Sequence, residues 1–313
     1  IGSNLIAAGG IGIIAAVLGI FVFITRETYP LFLNPTVESE GHRSLGGPVL
    51  GGGHDPFREI IYAVYAQGLL FARVSQEAPT ERVPLDVTPA ARVVSVDPAP
   101  RDDRVAMGLD DGRVATTTIE YGLTYADDSR TITPSLRQGS TYQLFEADAV
   151  TDVTWRLAER REAIAAISAG GRVAVLLMER ERGLLRAGHL RSVRFDLTDR
   201  IGEPVRSLAL DAGVRHLVVG AASGRLHVFG LQGGLDDPTH DQVIDGAAAG
   251  GVASLAFLLG DRSLVVGGAD GDVGVWFEVD RDGERGFRLI RAMRRHESAV
   301  TAIVPSQRDR QFL

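Results

Sequence analysis

The chain contains no cysteine and no lysine. Without cysteine it can form no disulfide, no thiolate metal site and no cysteine nucleophile. That absence is compatible with a periplasmic domain but does not establish one. All 33 basic residues are arginine, which carries no functional weight by itself. Positive charge is also in deficit. The formal net charge is −7, which argues against a surface for nucleic acid or anionic lipid, since both need a basic face. No G-x-S-x-G elbow presents a serine nucleophile. The flexible runs Gly46-Gly47-Pro48 and Gly51-Gly52-Gly53 lead into no strand-to-helix pattern that could cradle phosphate. The expectation is a non-enzyme with no catalytic, cofactor-binding or metal-binding residue.

What is present begins with an uncharged run, Leu5 to Ile24. At ~1.5 Å per residue a helix of that length spans ~30 Å, the thickness of a bilayer's hydrocarbon core. The run ends in Phe21-Val22-Phe23-Ile24-Thr25-Arg26, without the small-x-small cleavage site of a signal peptide. The expectation is one retained transmembrane α-helix over 1–28. Ala8, Gly12 and Ala16 recur every four residues. That spacing either lets another helix approach closely or reflects the ordinary abundance of small residues in membrane spans.

Residues 29–56 hold Pro30, Pro35, Pro48 and Pro56 with the triple glycine, and read as a linker. From 57 to 313 a unit recurs. A glycine turn leads into an alternating strand at Gly68, Gly112, Gly171, Gly224 and Gly271, which lie 44, 59, 53 and 47 residues apart. Before three of these turns a valine precedes a second strand by 12 residues: Val93 to Val105, Val205 to Leu217 and Val252 to Leu264. Strand, strand, glycine turn and strand at a period of ~40–50 residues is the signature of a propeller blade. The predicted fold is all-β: an incomplete β-propeller preceded by the transmembrane helix. Five blades are visible and a sixth opens at Ala299-Val-Thr-Ala-Ile-Val. A ring short of its expected seven would leave an open edge, so the chain is expected to continue beyond residue 313.

The polar residues that could carry chemistry read more plainly as structure. The histidines are His42, His54, His189, His216, His227, His240 and His296, none paired at the i,i+4 spacing of a helical zinc site. His216 and His227 fall on consecutive strands and read as a cross-strand surface pair rather than metal ligands. Asp280-Arg-Asp-Gly-Glu has the opening of a calcium loop but not its remainder, so a polar hairpin turn is expected. Asp110-Asp-Gly and Asp270-Gly-Asp are turn residues repeated by the blade pattern.

Two segments go beyond the repeat. Tyr121-Gly-Leu-Thr-Tyr-Ala-Asp-Asp-Ser-Arg-Thr-Ile-Thr-Pro-Ser-Leu is an unusually polar insertion between blades. The stretch from Gly274-Val-Trp-Phe through Asp280-Arg-Asp-Gly-Glu-Arg-Gly-Phe to Met293 closes the fifth blade. Together with the Tyr29-Pro-Leu-Phe that ends the anchor, they resemble the N-terminal half of the permease subunit of bacterial phosphate-specific ABC importers. The likeness is to the large form, which carries a periplasmic WD-repeat-like propeller. That resemblance implies a bacterial inner membrane location with the propeller in the periplasm. It implies as partners the other permease subunit, the cytoplasmic ATPase and the periplasmic phosphate-binding protein. The propeller would serve as an interaction or regulatory platform. The residues alone also admit a membrane-anchored scaffold for envelope assembly, without transport. A propeller enzyme finds no support among them.

Overall fold

The computed structural model describes residues 2–29, 47–74, 81–87, 89–97, 103–126, 129–180, 189–281, 284–293, 296–306 and 310–312. Two units are distinguished, Ile1–Leu45 and Gly46–Leu313. The first contains helix α1 (Gly2–Thr28). Its described side chains are Gly10 and Gly12–Thr28, and Ile13, Val17, Ile20 and Phe21 are among those left exposed. Among the described residues, no helix is long and apolar enough to cross a membrane. The expectation over 1–28 is met as a helix.

The second unit is a propeller of five four-stranded antiparallel sheets. The first holds β1 (Gly51–His54), β2 (Ile60–Tyr65), β3 (Gly68–Arg73) and β4 (Glu81–Pro84). The second holds β5 (Val93–Val96), β6 (Arg104–Leu109), β7 (Arg113–Ala126) and β8 (Ser129–Gln143). The third holds β9 (Val150–Leu157), β10 (Arg161–Ser168), β11 (Val173–Arg180) and β12 (Leu190–Asp196), followed by the single turn α2 (Thr198–Ile201). The fourth is β13 (Val205–Leu210), β14 (His216–Ala221), β15 (Leu226–Gly230) and β16 (Thr239–Ile244). The fifth is β17 (Val252–Phe257), β18 (Ser263–Gly268), β19 (Val273–Arg281) and β20 (Glu284–Ala292). Gly51-Gly52-Gly53, read from sequence as part of the linker over 29–56, is thus the first strand; residues 30–46 lie outside the described ones.

Strand alternation explains the stacking. In β11, Val173, Val175 and Leu177 pack with the fourth sheet, while Ala174, Leu176 and Met178 pack with the second. A sheet covered on both faces needs a nearly unbroken apolar run, which β11 has. The outer strand β12 has no such neighbour and stays mostly exposed. Further clusters join the first sheet to the second and the fourth to the fifth.

A knob-in-notch contact repeats between sheets. Val150 seats against Gly108, Val252 against Gly220 and Val300 against Gly267. At Gly108 and Gly267 a Cβ would lie 2.6 Å from the valine Cγ1, so only glycine admits the knob. Each notch glycine faces a serine across a register shift: Ser95, Ser207 and Ser254. Two of these serines clamp the incoming knob. Ser95 Oγ donates to the Val150 carbonyl at 2.5 Å, and Ser254 Oγ to that of Val300 at 3.0 Å. Val300 is therefore held as the opening strand of a further sheet would be. Ile303, Val300 and Phe312 pack on the fifth sheet, and Pro305 bridges Phe312.

Candidate functional site

The two central histidines are not the surface pair expected from their strands. His216 lies opposite Gly230 and His227 opposite Val219, three positions apart along the ladder. Both are buried, at 7% and 4% exposure, because β14 and β15 are inner strands covered on both faces. His216 sits between Asp211 (Nδ1 to Oδ2, 3.9 Å) and Glu278 (Nε2 to Oε1, 3.8 Å), edge-on to Phe287. Its Nδ1 makes no hydrogen bond among the described residues. His227 instead meets the Glu203 carboxylate at 2.9 Å and His240 at 3.3 Å. Among the described residues, no group of three or more His, Cys, Asp or Glu could hold a metal ion.

The acidic motifs at Asp110 and Asp270 are turns. Asp280 opposes Arg285 and Arg281 opposes Glu284, while the expected turn at Asp282 and Gly283 lies outside the described residues. Asp111 braces the β6–β7 turn through its salt bridge to Arg113 at 2.6 Å, and Asp270 accepts from the Asp272 amide. Although burial opposes it, the Arg113 hydrogen bonds and charge hold the Asp111 carboxyl below its ordinary range.

A charged cluster on the inner strands had no counterpart in the sequence reading. Asp97, after β5, and Arg156, on β9, form an ion pair at 2.6 Å with side chains 2% and 5% exposed. The same Asp97 Oδ2 accepts the Trp155 amide at 3.0 Å. Beside it Asp152 accepts the amides of Leu208 at 2.9 Å and Val153 at 3.0 Å. Asp152 is crowded by protein on all sides yet keeps some accessible surface. Burial and the Asp97 charge push its carboxyl up to about 7, against the two amide bonds. These groups tie the second, third and fourth sheets together, and their geometry reads as structural bracing.

The surface feature that most departs from the repeat is the β7–β8 hairpin. The polar insertion expected between blades is the far half of this hairpin. Its strands pair from Arg113↔Gln143 to Ala126↔Ser129, well beyond the end of β6. One face carries Ile119, Tyr121 and Ile132, which seal the core of the first sheet. Arg73 donates to the Ile132 carbonyl at 2.8 Å, Arg130 pairs with Glu59, and the Arg130 guanidinium lies 4.6 Å over the Phe57 ring. A small cleft of ≈ 120 Å³ lies between hairpin and sheet, lined by Phe71, Arg73, Glu81 and Ile132 among others. Further out the same face overhangs. Leu123 is 41% and Tyr125 75% exposed, beside Phe57 at 41%. Ile119, Tyr121, Leu123 and Tyr125 alternating with Glu120, Gly122 and Thr124 were the strand signal available in the sequence.

No protein-family model matches the chain, and no curated protein sequence resembles it. Solved structures do. The β-propeller domain of Cps50 (Swd1) from Myceliophteria thermophila superposes with a TM-score of 0.52 at 10% identity, covering 82% of this chain and 74% of that one. Sqt1 from Chaetomium thermophilum gives 0.48 at 15%, covering 82% of this chain and 63% of Sqt1. Sqt1 bound to the N-terminus of ribosomal protein L10 gives 0.46 at 14%, over 81% and 65%. The chain thus spans less than two thirds of the length of Sqt1. At such identities the likeness concerns architecture. The protein has the β-propeller fold.

Proposed function

We propose that the propeller is a protein-docking platform that performs no chemistry, held at a membrane through α1 within a phosphate importer's permease. One observation carries the docking reading. The β7–β8 hairpin displays Leu123 and Tyr125 beyond the sheet it covers, at a cost the propeller core does not require. Exposed aromatic anchors with a charged rim, here Arg130 and Glu59, are the usual centre of a protein interface. The partner proposed is the phosphate-binding protein, from the resemblance of 121–136 and 274–293 to the permease family. Replacing Leu123 and Tyr125 together by serine is expected to weaken its binding to the full chain at least about tenfold, with unchanged circular dichroism. Equal affinity would remove this docking surface.

Membrane attachment is supported by the uncharged run from Leu5 to Ile24 within a helix of 27 residues. Arginine at Ile13 and Val17 would cost about 2.5–3.5 kcal/mol each in a hydrocarbon environment. The doubly substituted chain is expected to leave the vesicle-bound fraction in flotation. Continued flotation would detach α1 from lipid.

A further inference from the structure

Glu203, His227, His240 and Phe229 form one continuous line on the fourth sheet. Glu203 Oε1 lies 2.9 Å from His227 Nε2, and His227 Nδ1 lies 3.3 Å from His240 Nε2. The rings of His227 and His240 stack with centroids 5.3 Å apart, and His240 stacks on Phe229 at 4.5 Å with only 13° between planes. A bulge positions the last ring. Val228 opposes Gln242 and Phe229 opposes His240, so Asp241 is the extra residue that turns His240 back over the sheet. His227 is buried, whereas His240 is exposed at the start of β16.

We infer that this line is an acid-released latch: one proton between the two rings seats β16, and a second expels His240 and frees the strand's beginning. A contact between two ring nitrogens needs one proton, given by either ring and accepted by the other. Protonating both rings places two N–H donors against each other, and the attraction becomes repulsion between two cations. His227 is anchored by Glu203, whose carboxyl stays ionised. Burial works against that, but hydrogen bonds from Ser223 and His227 and the charges of His227 and Arg225 hold it below its ordinary range. The exposed ring is the one that must yield.

The remaining charges around the latch agree in direction. Arg200 of α2, which pairs with Asp237 and donates to the Pro238 carbonyl at 2.6 Å, adds positive charge beside His240. Burial, His227 and Arg200 depress the His240 imidazole below the free value, and Asp241 only partly offsets them. Arg225, near Glu203 at 3.6 Å, is shared with Asp245. A histidine whose folded pKa lies below its unfolded value binds fewer protons folded than open. Stability present above the free histidine value is then lost as pH falls through and below it.

This inference stands apart from the docking surface, since it involves another sheet and needs no partner. Amide exchange of the full chain, corrected for intrinsic rates, would be compared at pH 7.5 and 5.5. Protection at 239–244 in the native chain should fall by up to about tenfold per pH unit as pH drops from the free histidine value towards the depressed value of His240. His240→Phe, which keeps a ring on Phe229 but no proton, should show no such fall. Ring proton shifts of the native chain give a second reading, with the His240 ring losing its upfield stacking shift as protection at 239–244 falls. Unchanged protection in the native chain, an equal loss in His240→Phe, or a His240 ring that stays stacked while protection falls would each overturn the latch.

Discussion

Alanine at Gly224 is expected to destabilise the propeller by about 3–5 kcal/mol, whereas alanine at Gly171 costs about 1–2 kcal/mol, from the strained backbone alone. Both glycines open the third strand of a sheet with positive φ, 90° and 78°. They differ in what lies above them. Gly224 tucks beneath the chain leaving its sheet, its carbonyl accepting the Ala248 amide at 3.2 Å while a Cβ would collide with the Ala248 carbonyl. Gly171 has open space at its missing Cβ. Gly112 and Gly271 repeat the Gly224 arrangement, their carbonyls accepting the amides of Phe145 at 3.0 Å and His296 at 2.9 Å. Urea unfolding of the two variants would separate backbone strain from close approach. Equal losses would show that φ alone demands these glycines.

That contrast marks how far the propeller could be read from residues alone. The recurring glycines were legible because left-handed turns admit little else, and the 12-residue step from Val205 to Leu217 tracks two strands and their hairpin. The fourth strand of each sheet was not. Leu190–Asp196 reads LRSVRFD and is mostly exposed, so no burial pattern identifies it. Gly51–His54 escaped for a different reason: three glycines have no side-chain period, and the strand exists because β2 pairs with it. The polar clusters were the least accessible. Glu203, His227 and His240 lie on three separate segments, and only the bulge at Asp241 brings the last ring onto the others. The knob valines illustrate the middle case. Val150, Val252 and Val300 look like ordinary strand residues until the notch glycines of the preceding sheets face them.

Removing Asp97 while keeping Arg156 is expected to cost about 3–5 kcal/mol, because the guanidinium is left charged and buried without its counter-ion. Asp97→Leu paired with Arg156→Met should recover most of that loss. The double variant takes both charges out of the interior and restores apolar contact with the surrounding sheets. The outcome bears on Asp152 as well. Burial first, and the Asp97 charge after it, push the Asp152 carboxyl up to about 7. An acid whose folded pKa exceeds its unfolded value binds more protons folded, so its contribution to stability declines as pH rises from about 4 to about 7. Asp152→Asn should abolish that decline in the unfolding midpoint, and Asp97→Asn should shift it to lower pH. If the single Asp97→Leu change proves no worse than the double one, the pair contributes no net attraction. The bracing of the second, third and fourth sheets would then rest on the amide bonds to Asp97 and Asp152 alone.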